Sequence, residues 1–92
     1  MKSNKINILE QLDIVLRERK KEDSSKSYVS SLYSKGNEAI NNKIIEECNE
    51  YIESTSNNDR KHMIHEATDL WFHTLVSLSL NDISSSDILK EL

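Results

Sequence analysis

The sequence predicts an all-α fold: an antiparallel bundle of about four to five helices in a single domain, residues 1–92. The chain has 92 residues with one glycine and no proline, so the residues that most often interrupt helices are almost absent. A chain of this length forms one domain. Because such a domain buries only about 60–65% of its unfolded surface, we expect a second copy to complete the core.

The first helix is predicted over roughly residues 4–21, where apolar side chains recur at spacings of three and four. These apolar residues are Ile6, Leu9, Leu12, Ile14, Val15 and Leu16. A charged run follows, and the serines after it indicate a loop. Ser27 can cap a short second helix from Tyr28 to about Ser34. Gly36 then stands where a helix end favours a residue that tolerates positive φ.

A third helix is predicted from about Asn37 to Ser54, and the clearest turn in the sequence follows it at residues 54–58. We expect Asn58 or Asp59 to cap a fourth helix that extends to about Leu80. The second half of that helix is apolar almost all round, which is typical of a helix buried on most sides. Serines 84–86 can cap a last short helix that ends at residue 92.

Two acidic motifs lie on the third and fourth helices. At about 100° per residue, one side of the third helix carries Lys43, Glu46, Glu47 and Glu50. Apolar residues lie roughly opposite and are expected to pack: Ile40, Ile44, Cys48, Tyr51 and Ile52. On the fourth helix, one stripe carries His62, Glu66, Asp69 and His73. The short turn predicts an antiparallel hairpin in which the two stripes can face each other.

These carboxylates could form a solvated surface or a metal site, because Glu and Lys are ordinary surface residues of helices. Two features favour a metal: Glu46 and Glu50 repel each other at i,i+4, and Asp69 directly precedes an apolar segment. Mg²⁺ would relieve both problems, since it prefers oxygen ligands and keeps waters that substrate phosphates can replace. His73 could bond a ligating carboxylate, contact phosphate or lie satisfied in the core, whereas His62 and His65 are expected at the surface.

The composition argues against several other classes of protein. A net charge of -4 makes the chain a poor candidate for nucleic-acid binding. One cysteine and three histidines do not form a structural zinc pattern, and no glycine-rich phosphate loop or nucleophile elbow occurs. The longest apolar runs have three residues, too short for a signal peptide or a membrane span, so we expect no membrane partner and a cytoplasmic location.

Two segments resemble the signature of the all-α nucleoside-triphosphate pyrophosphatase superfamily. They are residues 43–50, Lys-Ile-Ile-Glu-Glu-Cys-Asn-Glu, and residues 66–73, Glu-Ala-Thr-Asp-Leu-Trp-Phe-His. Within it, the chain resembles the phosphoribosyl-ATP pyrophosphohydrolase family through Arg-Glu-Arg-Lys at 17–20, Ser-Tyr at 27–28 and Lys-Gly at 35–36. The resemblance runs from about Leu9 to Leu92. Ile45, Cys48 and Asn49 depart from the residues usual in the family, but every carboxylate is retained.

The resemblance implies Mg²⁺-dependent hydrolysis of phosphoribosyl-ATP to phosphoribosyl-AMP and pyrophosphate, the second step of histidine biosynthesis, by a homodimer or a higher assembly. It implies a metal site formed by five carboxylates: Glu46, Glu47, Glu50, Glu66 and Asp69. The first three of these are the expected catalytic carboxylates. In this site Glu46 is either a further ligand or the group that orients the attacking water. Candidates for substrate contacts are Lys35, Lys43, Arg17, Arg19 and His73. The run from Arg17 to Lys21 could equally be a solvated helix end.

Two other functions remain open. A house-cleaning pyrophosphatase that acts on free nucleotides would share the acidic motifs, although Ser27-Tyr28 and Lys35-Gly36 argue against it. A non-enzymatic helical interaction module would leave the acidic stripes solvated and would show no dependence on metal.

Overall fold

The computed structural model describes the backbone of residues 3–92 and the side chains of residues 8–92. Within this range the chain forms helices and no strand: α1 (Ser3–Arg19), α2 (Tyr28–Lys35), α3 (Asn37–Ser54), α4 (Arg60–Leu80) and α5 (Ser85–Glu91). The predicted all-α class is confirmed, and α3 begins and ends where predicted. The side chain of Ile6, predicted on the apolar side of the first helix, lies outside the described residues.

Local signals set the helix ends. α1 ends at Arg19, two residues before the predicted end, because the amides of Lys20 and Lys21 donate to carbonyls three residues back. Asp59 caps α4 by accepting a hydrogen bond from the amide of His62. Of the two predicted caps for this helix, Asn58 and Asp59, the second is therefore the one used. None of the described helices combines the length and apolarity that crossing a membrane requires.

The short helix α2 is fixed at both ends. Ser27 caps it by accepting a hydrogen bond from the amide of Ser30, and the Ser30 hydroxyl accepts one from the amide of Ser27. At the other end, Gly36 adopts φ of 91°, a conformation that L side chains rarely adopt, and donates to the carbonyl of Leu32. Because α3 starts at the next residue, this single glycine sets the angle between α2 and α3.

The apolar core of the single chain is small. Helices α3 and α4 share the most extensive helix–helix contact and form the hairpin against which α1 and α2 pack. Among the described side chains, five apolar residues are buried: Leu16, Leu32, Tyr33, Ile40 and Val76. Seven polar or charged residues are buried as well, so much of the interior depends on hydrogen bonds rather than on apolar contact.

The buried side of α3 differs from the predicted one. Glu47, predicted on the acidic side that could be either a solvated surface or a metal site, is only 5% exposed, whereas Ile52, expected to pack, is 58% exposed. The physical reason is angular: Glu47 follows Ile40 by seven residues and lies only about 20° from it around the helix. Ile40 is fully buried, so Glu47, on the same side of α3, also lies in the interface with α4.

The prediction that the second half of α4 is buried on most sides is wrong for the single chain. His73 and Val76 are buried, but Trp71 is 69% exposed. The side chains of residues 8–92 cover α4 on one side only, and an apolar groove of about 450 Å³ lies on the other. Its lining includes Leu9, Leu70, Trp71, Leu78, Ile88 and Leu92.

A buried carboxylate holds α5 against α1. Both oxygens of Asp13 accept hydrogen bonds from the amide of Ser85, at 3.2 and 3.1 Å, and Oδ2 also accepts one from the Ser85 hydroxyl at 2.7 Å. Ser85 is the first residue of α5, so its amide has no partner within its own helix. The negative charge also suits the positive end of the helix dipole.

Asp13→Ala is expected to lower the free energy of unfolding by about 1–3 kcal/mol, because it leaves the amide and hydroxyl of Ser85 without their partner. Urea denaturation measures this change, and hydrogen exchange should show faster exchange of the α5 amides. Glu10→Ala, at an exposed position on the same helix, is the control and should change the stability by less than about 0.5 kcal/mol. Equal effects of the two variants would contradict the role given to Asp13.

Candidate metal centre

Three carboxylates from the two hairpin helices converge. Glu47 of α3 and Glu66 and Asp69 of α4 each offer one oxygen, and these oxygens all lie within 4.8 Å of one another. Glu66 and Asp69 are three residues apart and therefore share one side of α4. Glu47 reaches them because it is turned toward the interface. The hairpin thus brings the two acidic motifs together, as the sequence predicted.

Two oxygens of this cluster are buried without a partner. Glu47 Oε1 and Glu66 Oε1 have no hydrogen-bond donor among the described residues. A buried carboxylate oxygen without a partner is costly, and like charges at this separation repel each other. A bound cation would remove both penalties. Because all the donors are carboxylate oxygens, the set suits a hard divalent cation rather than zinc or copper.

The other two predicted ligands lie at the edge of the cluster. Glu50 is exposed, and the negative charge of Glu47 is the main cause that raises the pKa of its carboxyl above the usual range. Burial, a hydrogen bond with Glu47 and the charges of Glu66 and Glu46 act in the same direction. Glu46 is exposed, and its Oε1 lies 3.1 Å from Lys43 Nζ. Glu50 therefore belongs electrostatically to the cluster, while Glu46 forms an ion pair beside it.

Lys43 places a positive charge next to the cluster. Its Nζ lies 3.1 Å from Glu46 Oε1 and 3.4 Å from Glu47 Oε2. The hydrogen bond with Glu46 is the main cause that raises the pKa of Lys43, although burial opposes the rise. Lys43 therefore remains charged at neutral pH and offsets part of the negative charge on Glu47.

Two histidines contact the α4 carboxylates from outside. His62 Nε2 lies 3.2 Å from Glu66 Oε2, and His65 Nε2 lies 3.4 Å from Asp69 Oδ2. Each pair is spaced i,i+4 along the helix, so these contacts follow directly from helical geometry. His65 is exposed and His62 half-buried, close to the predicted surface positions.

His73 is buried, with both ring nitrogens occupied. Nδ1 lies 2.8 Å from the carbonyl oxygen of Asp69, and Nε2 lies 2.7 Å from the hydroxyl of Tyr28. Because a carbonyl only accepts, Nδ1 carries the hydrogen and Nε2 accepts from the phenol. Of the alternatives for His73, this arrangement matches a satisfied core histidine, and its contact with substrate stays a prediction. The role of Tyr28 was missed, since no local pattern links it to a residue 45 positions away.

The remaining predicted cations lie elsewhere. Lys35 is exposed at the end of α2, and Arg19 pairs with Glu22 at 2.7 Å. Arg17 and Ser79 line a cavity of about 200 Å³. Because Ser79 lies about 15 Å beyond Asp69 along α4, the single chain does not bring Arg17 to the three carboxylates.

Comparison with known proteins gives one consistent result. Residues 9–92 match the family model described as Phosphoribosyl-ATP pyrophosphohydrolase. Curated proteins named phosphoribosyl-ATP pyrophosphatase from Azoarcus sp. and Aromatoleum aromaticum are each 46% identical over 86 residues, covering 94% of this chain and 80% of the relative. Another, from Hydrogenovibrio crunogenus, is 47% identical over 92 residues with the same coverage. The matched range contains both acidic motifs.

Glu50→Gln is expected to raise the midpoint of thermal unfolding at neutral pH in buffer with EDTA, because it removes one charge from a repelling cluster. The raised pKa of Glu50 means that the folded state binds the proton more tightly than the unfolded state does. The penalty on the folded state is therefore present above the raised pKa and disappears below the unfolded value of 4.5.

A series of calorimetric scans between neutral and acidic pH measures this difference, which should shrink as the pH falls. Glu53→Gln, at an exposed position on the same helix, is the control and should leave the midpoint close to that of the wild type. The same midpoint for Glu50→Gln and Glu53→Gln at every pH would refute the electrostatic coupling of Glu50 to the cluster.

Proposed function

The chain belongs to the phosphoribosyl-ATP pyrophosphohydrolase family, and we propose that its three-carboxylate centre holds the Mg²⁺ with which it hydrolyses phosphoribosyl-ATP. The chain is a hydrolase that acts on a phosphoric anhydride in histidine biosynthesis. The products are phosphoribosyl-AMP and pyrophosphate. The observation that supports the metal is the convergence of Glu47, Glu66 and Asp69, with two buried oxygens that lack a partner.

The carboxylates of the centre have different proposed roles in hydrolysis: some bind the metal and others accept a proton. When bound, Mg²⁺ neutralises charge on the polyphosphate and so favours in-line displacement. Glu47, Glu66 and Asp69 would hold the ion. A water oxygen forms a bond to phosphorus, the anhydride bond breaks, and the water must lose a proton. Glu50 is the first candidate to accept that proton, because it lies at the edge of the centre beside Glu47. Glu46, at the same edge, is the second candidate.

The cations are proposed to contact the phosphates of the substrate. Lys43 is the best placed, since it already lies 3.4 Å from Glu47. Lys35 is exposed and free to reach outward from the end of α2. Arg17 and Arg19 lie toward the far end of the bundle, so phosphate contacts by these arginines fit a site shared between two copies of the chain. A contact of His73 with substrate would require it to release Tyr28 or Asp69.

A homodimer is part of the same proposal. The groove beside Trp71 is apolar, and the helix that lines it is the one that carries Glu66 and Asp69. A second copy packed there would bury surface that a chain of this size cannot cover by itself. The proposal also places the enzyme in the cytoplasm, with a small-molecule substrate and no nucleic-acid partner.

The purified chain is expected to release pyrophosphate from phosphoribosyl-ATP in the presence of Mg²⁺ and to lose this activity in EDTA. Asp69→Asn should lower kcat/KM by about 100-fold or more, because it removes one charged ligand from the centre. Asp59→Asn, at the cap that precedes the same helix, is the matched control, since Asn caps a helix as well as Asp does.

Three outcomes would count against the proposal. Full activity in EDTA would exclude the metal. Faster turnover of any plain nucleoside triphosphate would favour the house-cleaning alternative. Equal weak heats when Mg²⁺ is titrated into the wild type, Glu47→Gln and Asp69→Asn would favour the interaction module without a metal site.

Trp71→Glu is expected to convert a dimer into a monomer, because it places a charge among the side chains that line the apolar groove. Sedimentation equilibrium of the wild type and the variant measures the molar mass directly. Asn41→Glu adds the same charge at an exposed position on α3 outside the groove, and it should leave the mass of the wild type unchanged. A monomeric wild type, or an intact Trp71→Glu dimer, would argue against the groove as the interface.

A further inference from the structure

Two hydrogen bonds in series join the start of α2 to the metal-ligand turn of α4. The Tyr28 hydroxyl donates to His73 Nε2 at 2.7 Å, and His73 Nδ1 donates to the carbonyl oxygen of Asp69 at 2.8 Å. The rings of Tyr28 and His73 meet edge to face, with centroids 5.8 Å apart. These contacts link two segments that are 45 residues apart in the sequence. They end on Asp69, one of the three carboxylate residues of the centre.

The surrounding structure holds His73 in one orientation, whereas Tyr28 is 51% exposed and is placed by its position at the start of α2. His73 is only 6% exposed, and Phe72 packs edge to face against it at a centroid distance of 5.4 Å. Tyr28 is the first residue of α2, directly after the Ser27 cap and its reciprocal hydrogen bonds with Ser30. Because both partners lie on fixed helices, the contact between them constrains how α2 and α4 sit relative to each other.

The phenol of Tyr28 also lies in the electric field of the centre. Burial raises its pKa, the charge of Lys43 opposes the rise, and the carboxylates of Glu47, Glu46 and Asp69 add to it. The phenol therefore keeps its proton at neutral pH and acts as the donor in its bond with His73. The same carboxylates make the phenolate unfavourable, so the direction of the two hydrogen bonds is well defined.

We propose that Tyr28 and His73 are a positioning pair, which fixes the Asp69 turn of α4 and thereby raises the affinity of the carboxylate centre for its divalent cation. The proposal rests on the proposed function, since it concerns the same centre. Neither residue touches the ion: Tyr28 acts through His73, and His73 acts through the backbone of Asp69. Groups that hold a metal ligand in place typically affect affinity or activity by about 10–100-fold.

Removing either half of the pair tests this proposal, with Mn²⁺ as the probe because it favours the same oxygen ligands as Mg²⁺. Tyr28→Phe keeps the ring and removes the donor. His73→Asn keeps a donor near the position of Nδ1 and removes the acceptor at Nε2. Each variant should raise the dissociation constant for Mn²⁺ by about 10-fold, measured from the electron paramagnetic resonance signal of the free ion. The double variant should be no weaker than the weaker single variant.

Tyr51→Phe is the matched control, because the Tyr51 hydroxyl makes no hydrogen bond to any described residue. It should bind Mn²⁺ like the wild type. Circular dichroism at the titration temperature verifies that each variant is folded; if His73→Asn is not, the comparison of Tyr28→Phe with Tyr51→Phe decides. Because the defect lies in metal affinity, the rate of phosphoribosyl-ATP hydrolysis by Tyr28→Phe should return to within about 2-fold of the wild type at saturating Mn²⁺.

The outcomes separate the two proposals. Wild-type Mn²⁺ affinity in Tyr28→Phe, with a wild type that binds Mn²⁺, would overturn the positioning pair and leave the proposed function standing. Fully additive effects in the double variant would show that Tyr28 and His73 act independently, which also overturns the pair. A wild type that does not bind Mn²⁺ would overturn both proposals.

Discussion

The burial of Glu47 between the two long helices is the constraint on which the rest of the structure depends. An ionised carboxylate inside a protein is unfavourable unless it is paired, and among the described side chains only Lys43, at 3.4 Å, supplies an opposite charge. The neighbouring carboxylates of Glu66 and Asp69 increase the repulsion instead of relieving it. The chain therefore builds its main helix–helix interface around charge that a hydrophobic interface would exclude, and other parts of the bundle must supply the stability.

Specific polar contacts provide much of that stability, because the apolar core has few residues. Asp13 holds α5 against α1 through the amide and hydroxyl of Ser85, and Tyr28 holds α2 against α4 through His73. Each contact is directional, so it fixes the relative placement of two helices as well as stabilising them. This precision matters most at the hairpin, where the oxygens of three carboxylates must stay within 4.8 Å of one another despite their repulsion.

The sequence was most informative where structure is determined locally. Caps at Ser27, Asp59 and Ser84 gave the helix starts, and the short turn before α4 correctly predicted that the acidic motifs would meet. Contacts between distant segments could not be found in this way. The bond from Tyr28 to His73 leaves no periodic signal, and the exposure of Ile52 depends on which side of α3 faces α4. A shift of that face by a fraction of a turn buries Glu47 and exposes Ile52.

Helix α4 has two sides that the described residues of a single chain leave without a partner. One side carries Glu66 and Asp69, whose negative charges repel each other unless a cation binds between them. Another side carries Trp71, whose ring is exposed to water unless an apolar surface covers it. In the proposed enzyme, Mg²⁺ binds at the first side and a second copy covers the second. Both ligands would bind the folded helix and not the unfolded chain, so each would stabilise the fold by mass action. Metal binding and assembly would then be two contributions to the stability of one helix.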